Sequence, residues 1–328
     1  MIDVVALGEL LIDFTMLSAD EDGYPTMAAH PGGAPANFLA ALAKFGKKTA
    51  LIGKVGTDKF GRLLTDTLRS ANIDTRGLIA SDDVFTTLAF VTLDASGDRE
   101  FSFARKPGAD TCIRFEEIDL KLIDEARVFH FGTLSLTDEP ARSATQQVVA
   151  CAKERGKLIT YDPNLRKPLW KDLETAKEQM LWGLAQADVV KISDEEVEFL
   201  FGMKPEEGAA HLIRNYGVKL VFVTCGADGC YYSNGTASGK VPSLSDIQVV
   251  DTTGAGDIFG GSAVYKLLET CKAPEMLSKA ELDEIVTFAC TAAGLSTTKH
   301  GGISSVPEME DVIGNLALCK KNAQQEAE

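Results

Sequence analysis

In the string Asp251-Thr252-Thr253-Gly254-Ala255-Gly256-Asp257, three small residues stand directly before a carboxylate. A β-like run, Ile247–Val250, precedes the string, and an apolar helical pattern, Ile258–Leu268, follows it. With no bulky side chain between them and a ligand, the N–H groups of Gly254, Ala255 and Gly256 can point outward. The helix start adds the positive end of its dipole. Together these make an anion hole that needs no lysine. Asp257, in the first helical turn, can take a proton from a hydroxyl while the hole holds a phosphoryl group in transit. A bare Gly-x-Gly-Asp would read as a glycine turn with a capping aspartate. The full string between strand and helix favours the chemical reading.

A second string, Gly32-Gly33-Ala34-Pro35-Ala36-Asn37, also opens a helix. Paired glycines allow close backbone approach, and Asn37 can donate to and accept from sugar hydroxyls. The alternative is a loop with proline at the first helical position. Asp13, after the first strand, can bind hydroxyls or sit in a solvated loop.

The framework that must position these residues is large enough for one α/β domain with a small appendage, or for two modest domains, at 328 residues. With 45% hydrophobic and 25% charged residues, wholesale disorder is excluded. The net charge of −15 disfavours nucleic acid as a partner. No apolar run approaches a membrane span, and Met1–Leu7 has no basic region or cleavage site. Seven scattered cysteines without Cys-x-x-Cys read as reduced thiols in a cytoplasmic protein. The histidines (His30, His130, His211, His300) show no metal-ligand spacing.

Strand-like and helix-like segments alternate. Short β-rich runs fall at Val4–Leu7, Ala50–Val55, Val128–Phe131, Leu158–Tyr161, Val189–Ile192 and Leu220–Thr224. Several lack polar alternation, as strands covered on both faces do. Helical patterns at Pro35–Phe45, Phe60–Ser70 (Leu63, Leu64 and Leu68 on one side) and Ala141–Arg155 lie between them. The alternation implies right-handed crossovers and a mainly parallel sheet with helices on both faces. Thr86–Leu93 and Glu100–Ala104, joined by Asp94–Asp98, read as a hairpin. With Leu11–Phe14 and Tyr24–Ala29 it suggests a small antiparallel layer over a cleft. Lys320–Glu328 reads as a polar tail, frayed or helical.

The two glycine strings resemble the N- and C-terminal signatures of the ribokinase-like (PfkB) sugar kinase family, and the resemblance covers essentially the whole chain. It implies a ribokinase-like three-layer α/β core with a mainly parallel sheet, a β lid that often forms a dimer contact, and ATP-dependent phosphorylation of a sugar hydroxyl. The expected division is 1–12, 30–85 and 106–328 for the core, with 13–29 and 86–105 for the lid. By position, Asp257 resembles the catalytic base, and Gly254, Ala255 and Gly256 the anion hole. Asp13, Gly32, Gly33 and Asn37 resemble sugar contacts. Thr224-Cys225-Gly226-Ala227-Asp228-Gly229 resembles the nucleotide segment. Asp251, Thr253, Ser296, Lys299, Gly301 and Ser305 align with a monovalent-cation site, which would take K⁺. The family's Asn-x-x-Glu, tied to the Mg²⁺ and phosphate network, appears here as Ser193-Asp194-Glu195-Glu196. Glu196 therefore fits while Ser193 replaces Asn, and the same pair makes a helix capping box. Ser262 replaces a smaller residue in the C-terminal signature, a change without catalytic consequence.

Gly33-Ala34-Pro35-Ala36-Asn37 is similar to fructokinases and 2-keto-3-deoxygluconate kinases rather than ribokinases, and Pro107-Gly108-Ala109-Asp110 leans toward fructokinases. Arg105 and Arg166 could neutralise a transferred phosphate or a substrate carboxylate, so they do not decide between the two sugars. Arg166 could instead pair with Asp162. Lys191 is a weaker phosphate candidate or a solvated charge at a strand end. The reading reached is an ATP- and Mg²⁺-dependent fructokinase working by in-line transfer, with the keto-acid kinase as alternative. A binding protein that has lost the chemistry is opposed by the intact Gly254–Asp257 string. No Gly-x-Gly-x-x-Gly follows the first strand and no Walker P-loop is present, which disfavours other nucleotide folds.

Overall fold

The apolar runs without alternation become the inner strands of one large sheet. The computed structural model describes residues 1–93, 99–245 and 247–325, with backbone alone for 93, 99–101 and 318–325. The strands are β1 (Ile2–Leu7), β2 (Leu11–Ala19), β3 (Pro25–Gly32), β4 (Thr49–Gly56), β5 (Ile73–Asp74), β6 (Leu78–Ser81), β7 (Leu88–Leu93), β8 (Arg99–Ala104), β9 (Ala126–Gly132), β10 (Leu158–Asp162), β11 (Val189–Ser193), β12 (Leu220–Thr224), β13 (Cys230–Ser233) and β14 (Ser238–Val241). The helices are α1 (Ala34–Lys44), α2 (Lys59–Ser70), α3 (Lys121–Glu125), α4 (Ala141–Glu154), α5 (Leu173–Leu184), α6 (Asp194–Phe201), α7 (Pro205–Tyr216), α8 (Ala255–Thr270), α9 (Lys279–Ser296) and α10 (Met309–Gln325).

The large sheet runs β14-β13-β12-β11-β10-β9-β1-β4-β5, with β6 also on β4. It is parallel from β5 through β12, and only β13 and β14 run antiparallel. Pleating sends alternate side chains to opposite faces. Val5 and Leu7 pack with Phe129, Phe131 and residues of α4 and α5. Val4 and Ala6 pack with α1 and with Ile258 of α8. Each of the larger side chains, fully buried, contributes about 1.5–3 kcal/mol, and the result is three layers.

Parallel pairing has a functional consequence. β1, β9, β10, β11 and β12 all end at one edge, at Leu7, Gly132, Asp162, Ser193 and Thr224. Ligands of open α/β sheets bind outside the carboxyl ends of the strands.

The small sheet has the order β3-β2-β7-β8. Its central pair, β2–β7, runs parallel, with Asp13 opposite Ala89. The expected all-antiparallel layer is therefore corrected to a mixed one. Both hairpins leave the core on their first strand and return on their second, so the two outgoing strands share a direction. The Asp94–Asp98 loop lies outside the described residues, as do residues 326–328 of the tail; the helix before them runs to Gln325.

Two local expectations need correction. Leu63 is 42% exposed while Leu64 and Leu68 are buried, because Leu64 and Leu68, four residues apart, share one face and Leu63 lies about 100° around the helix from it. Ile247–Val250 forms no strand. The N–H groups of Val250 and Asp251 both bond the Thr297 carbonyl, which takes that segment to the end of α9. No helix among the described residues is long and apolar enough to cross a membrane.

Candidate active site

α8 begins after Gly254, whose φ is 76°. A Cβ there would be strained and would lie 2.9 Å from the Gly302 Cα, so glycine is required. The first intrahelical bond runs from the Ile258 N–H to the Gly254 carbonyl. The amides of Gly256 and Asp257 precede it and have no intrahelical acceptor. The Ala255 N–H leans on the Thr252 carbonyl at 3.3 Å. Asp257 does not cap its helix: no side chain caps α8. Its Oδ2 instead accepts from Asn37 Nδ2 at 2.9 Å. The carboxylate is half-buried, open to a ligand yet crowded by protein. Burial holds its carboxyl above the usual range, opposed by the Asn37 bond, Lys191 and Arg166.

Asn37 sits in the first turn of α1, its N–H bonded to the Gly33 carbonyl. Gly33 has φ 122° and lies so close to the Glu9 carbonyl that a Cβ would stand 2.4 Å from it. Asn37 also fills the space beside Gly302, where a Cβ would meet Asn37 Oδ1 at 2.2 Å. The two glycine strings and the Gly301-Gly302 turn thus converge on one amide. Asp13 joins them from β2, and a Cβ on Gly32 would fall 2.2 Å from its Oδ2. Burial pushes the Asp13 carboxyl up to about 7, with Arg166 opposing and Asp257 and Asp251 adding.

Lys191 is not a solvated strand end. Its ammonium pairs with Asp162 at 3.1 Å, with 13% and 7% side-chain exposure. It also lies 2.9 Å from where a Gly256 Cβ would stand, beneath the start of α8. Burial lowers its affinity for a proton, but Asp162, Glu196 and Asp257 outweigh this and keep it charged. Ser193 and Glu196 form the expected capping box, and α6 starts there. The Glu196 carboxylate goes further: Oε2 accepts from Ser193 N–H, and Oε1 accepts from Leu165 N–H at 2.7 Å.

The arginines differ. Arg166 is exposed and makes no ion pair among the described residues, so the alternative of a structural pairing with Asp162 is not met; Lys191 takes that carboxylate. It lies near enough to Asp13 and Asp257 to act on both. Arg105 is buried, and its donors go to Asp110, Thr137 and the Leu134 carbonyl at 2.7–2.9 Å. It does not stand open to a ligand.

Thr224 ends β12, and the Cys225 N–H closes the next turn on the Gly229 carbonyl. Gly226 and Gly229 have φ of 52° and 90°. Asp251 Oδ1 accepts from the Thr253 N–H and hydroxyl, and Oδ2 accepts from the Gly301 N–H. Asp251 thereby ties the start of α8 to the turn after α9. Ser296 and Ser305 turn their hydroxyls onto the Ala293 and Gly302 carbonyls, and the Lys299 N–H bonds the Ser296 carbonyl. Among the described residues no three His, Cys, Asp or Glu side chains converge as metal ligands.

Sequence reasoning passed over Glu9, Gly302 and the Asp162–Lys191 pair. The available signal was a charged residue at the end of an otherwise apolar strand, where burial forces pairing.

A family model described as pfkB family carbohydrate kinase matches residues 1–309. Fructokinase-1 of Zea mays is 41% identical over 314 residues, covering 94% of this chain and 96% of that one. The crystal structure of the fructokinase from Xylella fastidiosa with bound ATP superposes with a TM-score of 0.84 at 29% identity, over all of both chains. A double mutant of the fructokinase from Vibrio cholerae O395, in fructose, ADP and potassium ion bound form, also gives 0.84, at 30% identity over 96% of this chain and 98% of that one.

Proposed function

The chain belongs to the pfkB family of carbohydrate kinases, and on that premise we propose that it is an ATP-dependent fructokinase, converting D-fructose and ATP to D-fructose 6-phosphate and ADP. One observation carries the reading: a half-buried aspartate, aimed by Asn37, stands at the start of a glycine-opened helix with Lys191 beneath it. The fructokinase relatives support fructose as the sugar.

Asp13, Gly32, Gly33 and Asn37 take the sugar. Thr224, Gly226 and Gly229 take the nucleotide. Gly254, Ala255 and Gly256 hold the phosphoryl group through their amides, with Lys191 and Arg166 balancing its charge. Arg105 serves the sugar end as a buried brace. The sugar's primary hydroxyl oxygen bonds to the γ-phosphorus as the bond to the bridging oxygen breaks. The electron pair leaves with ADP, and the hydroxyl proton passes to Asp257. The raised proton affinity of Asp257 suits a base at neutral pH. No covalent phospho-enzyme is needed.

A Mg²⁺ ion bound with ATP would neutralise phosphate charge, and Asp162 and Glu196 are the hard oxygen donors that would hold it, Glu196 as an outer-shell partner because both its oxygens already accept from backbone amides. Two carboxylates together with phosphate oxygens are the kind of donor set this ion takes. The oxygen-lined turns joined by Asp251, with Thr253, Ser296, Lys299, Gly301 and Ser305, fit a monovalent cation. The small sheet, a lid in this reading, exposes Met16, Leu17 and Tyr24. A homodimer contact through it would show as twice the chain mass in sedimentation.

The test is a coupled ADP-release assay with Mg·ATP and fructose, ribose, glucose or 2-keto-3-deoxygluconate. Preference for fructose is expected. Preference for the keto acid would reassign Arg166 to a carboxylate, and no turnover on any sugar would overturn the kinase reading.

A further inference from the structure

Glu9 lies two residues beyond β1, is 3% exposed, and takes no part in the chemistry above. Its Oε1 accepts from the Ala34 N–H, the first amide of α1, at 2.9 Å. The helix has no side-chain cap of its own, since Gly33 fills that place. Glu9 therefore supplies the cap from 25 residues away, on the helix whose first turn carries Asn37. Arg105, at the foot of β8, acts on Glu9 at longer range without forming an ion pair with it. Arg105 is held by Asp110, whose Oδ1 takes the Thr87 hydroxyl. The Thr87 carbonyl in turn accepts the Ile12 N–H of β2. All of these links lie where the small sheet leaves the core.

In this buried junction the Arg105 guanidinium pairs with Asp110, with Asp138 at its rim at 3.8 Å and Glu9 acting on it only at longer range. α1 presents only its backbone amide to Glu9. Burial pushes the Glu9 carboxyl up to about 7, with Asp110 adding and the Ala34 amide and Arg105 opposing.

We propose that Glu9 is a positioning residue for sugar binding: its carboxylate caps the first amide of α1 and so fixes the Gly32–Ala34 turn and the helix start that carries Asn37. The proposal rests on the sugar-kinase reading for its kinetic effect, but not for its structural one.

Glu9→Gln keeps shape and acceptor and removes the charge. Fructose KM for the variant, divided by that of the unmodified enzyme, is measured at pH 6.0 and 8.5. The expected ratio is at least about threefold at pH 8.5 and near one at pH 6.0, with kcat within about twofold, as for loss of one charge-assisted contact. A ratio near one at both values, or equally raised at both, overturns the proposal. Glu9→Ala is examined without sugar, by hydrogen exchange over residues 34–37 in the full chain. Exchange about tenfold faster there is expected from loss of the cap. Unchanged exchange overturns the proposal whichever sugar the enzyme turns over. Failure to phosphorylate fructose would fault the substrate reading and leave the exchange result standing.

Discussion

Two helices begin with the same device and use it differently. α9 opens on Ser278 and Glu281, a capping box in which Glu281 also meets Lys272 at the surface. Its hydrogen bonds are all local or solvent-facing, and they hold the carboxyl down at about 2, chiefly through Lys272 and then Ser278. α6 opens on Ser193 and Glu196, also a capping box. There Glu196 is 7% exposed and spends one oxygen on Leu165, beside the Asp162–Lys191 pair. Each glutamate keeps one oxygen for its cap and gives the other elsewhere: Glu281 to the exposed Lys272, Glu196 to a backbone amide in a buried setting. The difference lies in burial and in what the second oxygen reaches: an exposed lysine at α9, a buried junction beside the Asp162–Lys191 pair at α6.

The largest effect expected at this edge sets the scale. Asp257→Asn should lower kcat by roughly 10²–10⁴-fold, the span of a lost general base, with fructose binding by calorimetry within about threefold. Near-normal turnover would remove Asp257 from the base role. Glu196→Gln should lower kcat/KM by about 10–100-fold, as loss of an outer-shell partner does, while Glu281→Gln leaves it unchanged. Equal effects of the two would erase the contrast between the boxes. Ser193→Ala and Ser278→Ala should each cost about 0.5–2 kcal/mol in denaturant unfolding as lost N-caps, with only the first slowing turnover.

The smallest effect is a difference in pH slope. Glu9 and Asp13 have folded proton affinities raised to about 7. Their stabilisation is complete below the ordinary carboxylate range and is lost as pH rises through 7. Glu281 runs the other way: its contribution is present above the ordinary range and lost as pH falls toward 2. The melting temperature should decline from pH 5.5 to 8.5, and Asp13→Asn should flatten that decline while removing activity. A flat profile in the unmodified protein would refute the buried-carboxylate account.

Much of this was legible in the residues. Non-alternating runs located the inner strands, and the glycine strings located both helix starts at the site. What escaped depended on tertiary contact. Ile247–Val250 has strand composition, but Thr297 takes its backbone bonds. Lys191 read either as a phosphate candidate or as a solvated charge, because nothing local shows Asp162 arriving from the neighbouring strand. The parallel β2–β7 pair was hidden because hairpin signals describe a strand and its return, not how two hairpins meet.

That parallel pair has a mechanical consequence. The small sheet joins the core at four chain crossings, where β2 and β7 go out and β3 and β8 come back. Ile12, Asp13, Phe14 and Thr15 are laddered to Leu88, Ala89, Phe90 and Val91, and Phe14 stacks on Phe90 at 5.2 Å. Phe14 also meets Phe60 of α2 edge-on. Neither hairpin can swing without shearing this ladder, so any movement of the sheet would have to carry both hairpins together. A single backbone cut within either hairpin would leave the sheet in one piece.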